Sequence, residues 1–343
     1  MMILKRMGLI LATTIMSFAP LIGQTNADGT DNVGLRVSAV LPENQRDTGQ
    51  SYFDLLVQPK DKQTLVVNLI NTTDKPQTVN TAVTAAKTNI NGVVEYTPSK
   101  NKLDKSVPFD MAKIATLPKS VEIPANSTKK LAIQLDIPDK QWQGVVAGGI
   151  SVTQAEVNDS GDNKKAGISV RNRYAYAIGV MLQTKQDSTV KEELNLARVT
   201  AGQINLRNAV ISELHNTSET YLKKVSIKSK ITRVNGTKVL YESDKSNMKI
   251  APNSIFNYPL SLEGHSFKAG RYTMDMTVKS EKNTWHFTKN FTITSKEAKD
   301  LNNKDVTIIH DEGFNWWWLV ALVAIILAII VYIVRRRRKA QTN

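Results

Sequence analysis

The sequence predicts an all-β protein: two immunoglobulin-like β-sandwich domains in tandem, set between a signal peptide and one C-terminal transmembrane helix. Three observations predict it. Apolar and polar residues alternate with period two through most of the chain, polar turn clusters separate these runs at fairly regular spacing, and the longest runs without a charge lie at the two ends. Many short strands joined by such turns are the pattern of sandwiches.

Residues 1–27 come first. Lys5 and Arg6 precede an apolar run from Met7 to Phe18, and Thr25-Asn26-Ala27 places small residues at the expected spacing, so a signal peptide cut after Ala27 is expected. An uncleaved anchor is the alternative. The first sandwich is expected over 33–157. In "QTLVVNLIN", Leu65, Val67 and Leu69 face one way and Val66, Asn68 and Ile70 the other; in "KKLAIQLDIP", Leu131, Ile133, Leu135 and Ile137 share a face. One short helix is expected around Phe109 to Ala115, before Pro118. Asn158 to Gly167 is the most loop-like stretch and the expected linker. Tyr174 to Leu182 opens the second domain or completes the first sheet; the second sandwich is taken as 168–295. It ends on a hairpin, "RYTMDMTVKS" then "WHFTKNFTIT", and a polar stalk is expected over 296–315.

Trp316 to Val334 carries no charge. At about 1.5 Å per residue it is long enough to cross a hydrocarbon core of about 30 Å. Trp316, Trp317 and Trp318 suit the headgroup region at one end, and Arg335, Arg336, Arg337 and Arg338 place the other end in the cytoplasm. The expected protein is a single-pass cell-membrane ectodomain with a cytoplasmic tail of 335–343.

The chain has no cysteine, which excludes thiol catalysis and Cys-based zinc sites and favours a bacterial surface. Net charge is +14, but without Lys5, Arg6 and the cations from Arg335 to Lys339 it is 38 basic against 31 acidic residues, a net +7. Scattered in this way, it suits an anionic wall and gives no stripe for nucleic acid. Asp47-Thr48-Gly49 spells an aspartic-protease tripeptide without an apolar strand or second copy, so a polar turn with a left-handed Gly49 is expected. His215, His265, His286 and His310 lack metal spacing, and adjacent Glu192 and Glu193 point to opposite sides of a strand. No enzyme, cofactor or metal is expected.

"DKQWQGVVAGGISVTQ" holds Gly144, Gly148, Gly149 and Trp142. Glycine inside a strand marks a bulge or a close approach of another chain. Two readings follow: a surface where a partner lies on thin backbone with Trp142 as anchor, or a bulged core strand with Trp142 as a packing plug. Glycan strands need open aromatic faces, and Tyr52, Phe53, Tyr96 and Trp142 are the candidates, with Gly148 and Gly149 beside them.

"VLPENQ", "SYFDLLVQPKDKQTLVVNLINTTDKPQTV", "TNINGVVEYT" and "WQGVVAGGI" stand in the order and spacing of the first domain of WxL-interacting proteins, which are Gram-positive cell-surface proteins. "YAYAIGVMLQ", "IAPNSIFNYPL", "AGRYTMDMTVKS" and "WHFTKNFTI" resemble that family's second domain. The resemblance implies adhesion: peptidoglycan binding by the first domain, host extracellular-matrix protein binding by the second, and secreted WxL-domain proteins as partners. A structural spacer or chaperone-like subunit is the alternative. Where the family often has Pro-Gly, this chain has Pro59-Lys60-Asp61, so a different turn is expected there.

Overall fold

A computed structural model describes residues 34–155, 174–186, 189–308 and 317–340. The expected signal peptide and linker lie outside these residues, as do Trp316, His310 and the last tail positions.

The first unit holds β1 (Leu35–Val40), β2 (Phe53–Leu56), β3 (Lys62–Asn71), β4 (Gln77–Ala85), β5 (Lys87–Thr88), β6 (Val94–Glu95), α1 (Met111–Ile114), β7 (Ala115–Thr116), β8 (Ser120–Ile123), β9 (Ser127–Asp136), β10 (Val146–Gln154) and β11 (Ala175–Gln183). Two sheets, ordered β1-β3-β9-β7 and β2-β11-β10-β4-β8, face each other. The alternation in the sequence sets the packing: Leu65, Val67 and Leu69 on β3 and Leu131, Ile133 and Leu135 on β9 fill one core with Val79, Ile150 and Val152 opposite. The short helix stands where expected, with Met111 wholly buried and Asp110 capping its start.

β11 completes this first sheet and does not open the second sandwich. It pairs antiparallel with β10 over eight residues and parallel with β2. The first unit therefore runs through Gln183, beyond the expected 157. The Pro59-Lys60 turn keeps a left-handed residue: Lys60 has φ 70°, and its N–H donates to Ile137 O at 3.1 Å. Gly49, in contrast, is not left-handed; the turn closes through Asp47 Oδ1, which accepts from Gly49 N at 2.9 Å.

The second unit holds β12 (Leu194–Ile204), β13 (Arg207–Asn216), β14 (Leu222–Arg233), β15 (Val239–Ile250), β16 (Ser254–Ser261), β17 (Gly270–Lys279), β18 (Thr284–Ile293) and α2 (Ser295–Asn302). Its sheets are β12-β13-β16 and β15-β14-β17-β18. The β17–β18 hairpin forms as expected, with Tyr272, Met274, Met276 and Val278 buried. Tyr272 donates its hydroxyl to Lys268 O at 2.5 Å, the corner found at such strand entries. Glu192 is buried against Ser280 and Asn283 while Glu193 is exposed, as adjacency on an extended chain requires.

The expected stalk begins instead as a docked helix. Thr294 and Glu297 cap α2 reciprocally, Asn302 bonds both the N–H and C=O of Phe267, and Asp305 accepts from Asn208 N at 2.7 Å. Last comes α3 (Trp317–Ala340), a 24-residue helix whose described side chains, at 317 and 319–333, are all exposed. Among the described residues no helix is long and apolar enough to cross a membrane. The side chains of Trp318 and of Arg335 to Arg338 lie outside the described set.

Candidate functional site

The three glycines of the β10 segment are each filled by the chain itself. A Cβ on Gly144 would stand 2.0 Å from Glu219 O of the second unit, one on Gly148 2.6 Å from Met111, and one on Gly149 2.4 Å from Tyr96 Cβ. No room is left there for an outside chain. Trp142 is 4 % exposed, packs edge-on against Phe109 at 5.2 Å, and donates Nε1–H to Leu182 O at 3.3 Å. It is the packing plug. Phe53 is wholly buried as well. Of the expected contact residues, Phe53, Trp142, Gly148 and Gly149 therefore offer no open face, because the core needs their apolar surface or their lack of a side chain.

Tyr52 and Tyr96 remain half-buried, and the fold brings them together. Gly149 and Gly179 face each other across β10 and β11, leaving a bare strip of sheet over which both tyrosines lie. Tyr176 joins them from β11, its hydroxyl donating to Leu35 O at 2.5 Å. Val37, Ala39 and Leu41, from β1 and just after it, form the opposite wall. The result is a cleft of about 570 Å³, apolar and aromatic, with Lys249 of the second unit at its rim. Burial pushes the Tyr52 hydroxyl above the usual tyrosine range, and the Tyr221 hydroxyl further still, so both remain neutral hydrogen-bonding groups.

This cleft lies at the seam between the units, which is dense with polar contacts. Tyr96 and Tyr221 hydroxyls meet at 3.1 Å, and the Lys249 ammonium sits 4.2 Å from the Tyr221 ring centre. The β5–β6 hairpin reaches across: Gly92, at φ 70°, lies against Met248, and its C=O accepts from Lys249 N at 2.8 Å. Thr88 Oγ1 accepts from Ala251 N at 2.9 Å. Glu219 Oε2 accepts from the N–H groups of Gln143 (2.6 Å) and Gly144 (2.8 Å). Asp104 meets His215 Nδ1 at 2.5 Å, and Glu213 meets His215 Nε2 at 3.0 Å. Burial works upward on Asp104 and Glu213, but hydrogen bonds from Ser106 and His215 on the first, and from His215 and Arg198 on the second, hold both below the usual carboxylate range.

A larger hollow, about 670 Å³, lies on the β15-β14-β17-β18 sheet. Much of its polar lining is internally paired: Thr288 with Asp275 at 2.8 Å, Thr277 with His286 at 3.1 Å, and Lys228 with Asp244 at 3.2 Å. It offers one half-open aromatic ring, Phe287, against the three tyrosines of the other cleft, which is the better candidate for a stacked ligand. Among the described residues no group of three or more His, Asp or Glu side chains is placed to hold a metal. Tyr176, Lys249, Tyr221 and Glu219 are additions to the expected residues. Only the alternating "YAY" of 174–176 hinted at any of them in the sequence.

Comparison with known proteins matches two family domains to the chain. Residues 35–154 match the model for the peptidoglycan binding domain of WxL Interacting Protein, and 165–303 match that for its host binding domain. The second match takes in β11, which the sheet assigns to the first unit, and α2. No curated protein matches the chain. Among solved structures it is similar to the E. coli chaperone DraB, at 14% identity and TM-score 0.28, over 76% of this chain and 98% of that one. It is also similar to a CsuC-CsuE chaperone-tip adhesion subunit complex of Acinetobacter baumannii, at 10% identity and TM-score 0.31, over 65% and 89%. The sandwich description rests on the strand order above and not on these likenesses.

Proposed function

Because the chain belongs to the WxL-interacting protein family, we propose that it is a membrane-anchored surface scaffold that binds peptidoglycan and host extracellular-matrix protein and engages secreted WxL-domain proteins. The observation that carries this reading is the presence, in one chain, of a peptidoglycan-binding-type domain followed by a host-binding-type domain. The tyrosine cleft supplies the stacking faces a glycan needs. The apolar run from Trp316 to Val334, with four arginines after it, supports a single span with its C-terminus in the cytoplasm and both units outside.

The test is made on the full chain in detergent. It should sediment with purified peptidoglycan sacculi, capture a secreted WxL-domain protein from culture supernatant, and be digested by protease on intact, wall-stripped cells. Capture of the secreted protein with no sedimentation would leave a spacer or chaperone-like subunit in its place. Protection of the bulk of the chain from protease would end the reading altogether.

A further inference from the structure

We infer that the seam cleft selects a carboxylate-bearing wall glycan, its flat face on the rings of Tyr52 and Tyr96 and its carboxylate on Lys249. Peptidoglycan chemistry would then be read by both units together. This deepens the wall-binding reading above and rests on it.

Charge is the first argument. Lys249 lines the cleft, yet among the described residues it has no carboxylate partner; its ammonium is held by the Tyr221 ring alone. No acidic residue lines the cleft. Burial first, and the like charge of Lys223 second, draw the Lys249 ammonium below the usual lysine range. Both effects work against the cation, and the opposite charge of an anion entering from outside offsets them. Position is the second argument. The backbone of Lys249 is fixed to Gly92 of the first unit, so its side chain leaves the seam at a set place beside Tyr96. Third, the rest of the cleft suits an uncharged ring: tyrosine faces, the neutral Tyr52 hydroxyl and the small residues Ala39, Ala177 and Gly179. An ammonium at one end and aromatic faces along the other side match a sugar whose attached stem bears an acid.

The experiment uses the full chain in detergent and sacculi stripped by hydrofluoric acid of phosphodiester-linked polymers. The wild type should sediment with them, and Lys249→Gln should raise Kd about tenfold, the loss of one charge-assisted hydrogen bond. Lys249→Arg should keep the affinity. A soluble muropeptide should bind the wild type about tenfold more tightly than its carboxyl-amidated form, a comparison that needs no variant to fold. Equal sedimentation of wild type and Lys249→Gln, or equal affinity for the acid and its amide, would overturn the proposal and leave wall binding standing. Binding that vanishes on acid stripping would assign the anion to phosphate and overturn it too. A wild type that binds no sacculi at all would instead defeat the wall-binding reading.

Discussion

Single side chains in this protein divide into those that fill the core and those that join the units. Trp142 does the first. Its ring is almost wholly buried against Phe109, so Trp142→Ala removes the plug and leaves a cavity that should cost about 3–5 kcal/mol. Chemical denaturation would show it as a lower midpoint, with sacculus binding of the folded fraction unchanged. His215 does the second, lying between Asp104 of the first unit and Glu213 of the second. Both carboxylates have folded pKa values below their ordinary 3.8 and 4.5. Their contribution is therefore complete above those ordinary values and is lost as pH falls through the depressed ones. Asp104→Asn should be less stable than wild type at neutral pH, and the two melting temperatures should converge in acid. A gap that stayed constant down to the acid transition would show that Asp104 contributes no pH-linked stability.

Elements were legible in the sequence wherever a face had to be buried. The alternation in β3, β9 and β17 named the core residues correctly because a pleated strand turns every second side chain inward. Alternation fixes a face but not a neighbour, and so β11 was assignable to either domain until its pairing with β10 was seen. α2 escaped for a different reason. Its eight residues, "SKEAKDLN", carry only two apolar side chains, too few for a helical stripe, although Thr294 and Glu297 spell a capping box three residues apart. That box yields a prediction at this scale. Thr294→Ala leaves a first-turn N–H without its acceptor and should cost about 1 kcal/mol. The loss should show as faster amide exchange confined to α2 and to the Asn208 and Phe267 contacts it holds. The cleft was legible only in part: Tyr52 and Tyr96 were named as open faces, but Tyr221 and Lys249 lie more than 100 residues away in sequence, and no local pattern ties them to it.

At the scale of the whole molecule, the seam decides whether the two units act separately or as one. Backbone groups cross it directly: Asp104 N donates to Asn253 O at 3.1 Å, Lys249 N to Gly92 O at 2.8 Å, and Val145 N to Glu219 O at 2.7 Å. A small apolar cluster of Ala86, Ala147, Tyr221 and Ala251 closes the space between. Direct main-chain bonds of this kind hold an orientation that a tether could not, and the cleft depends on it, since Lys249 and Tyr96 come from opposite sides. Glu219 is the contact whose loss should tell most. Its carboxylate accepts from the N–H groups of Gln143 and Gly144 across the seam, and charge-assisted bonds are worth about 1.5–3 kcal/mol each. Calorimetry of the wild type should give one cooperative unfolding transition for the two units. Glu219→Ala should split it into two, with each sandwich melting on its own, and should weaken sacculus binding although Glu219 lies outside the cleft. If the variant melted in a single transition at the wild-type temperature, the units would be coupled by the apolar cluster and the remaining main-chain bonds, and Glu219 would be a bystander.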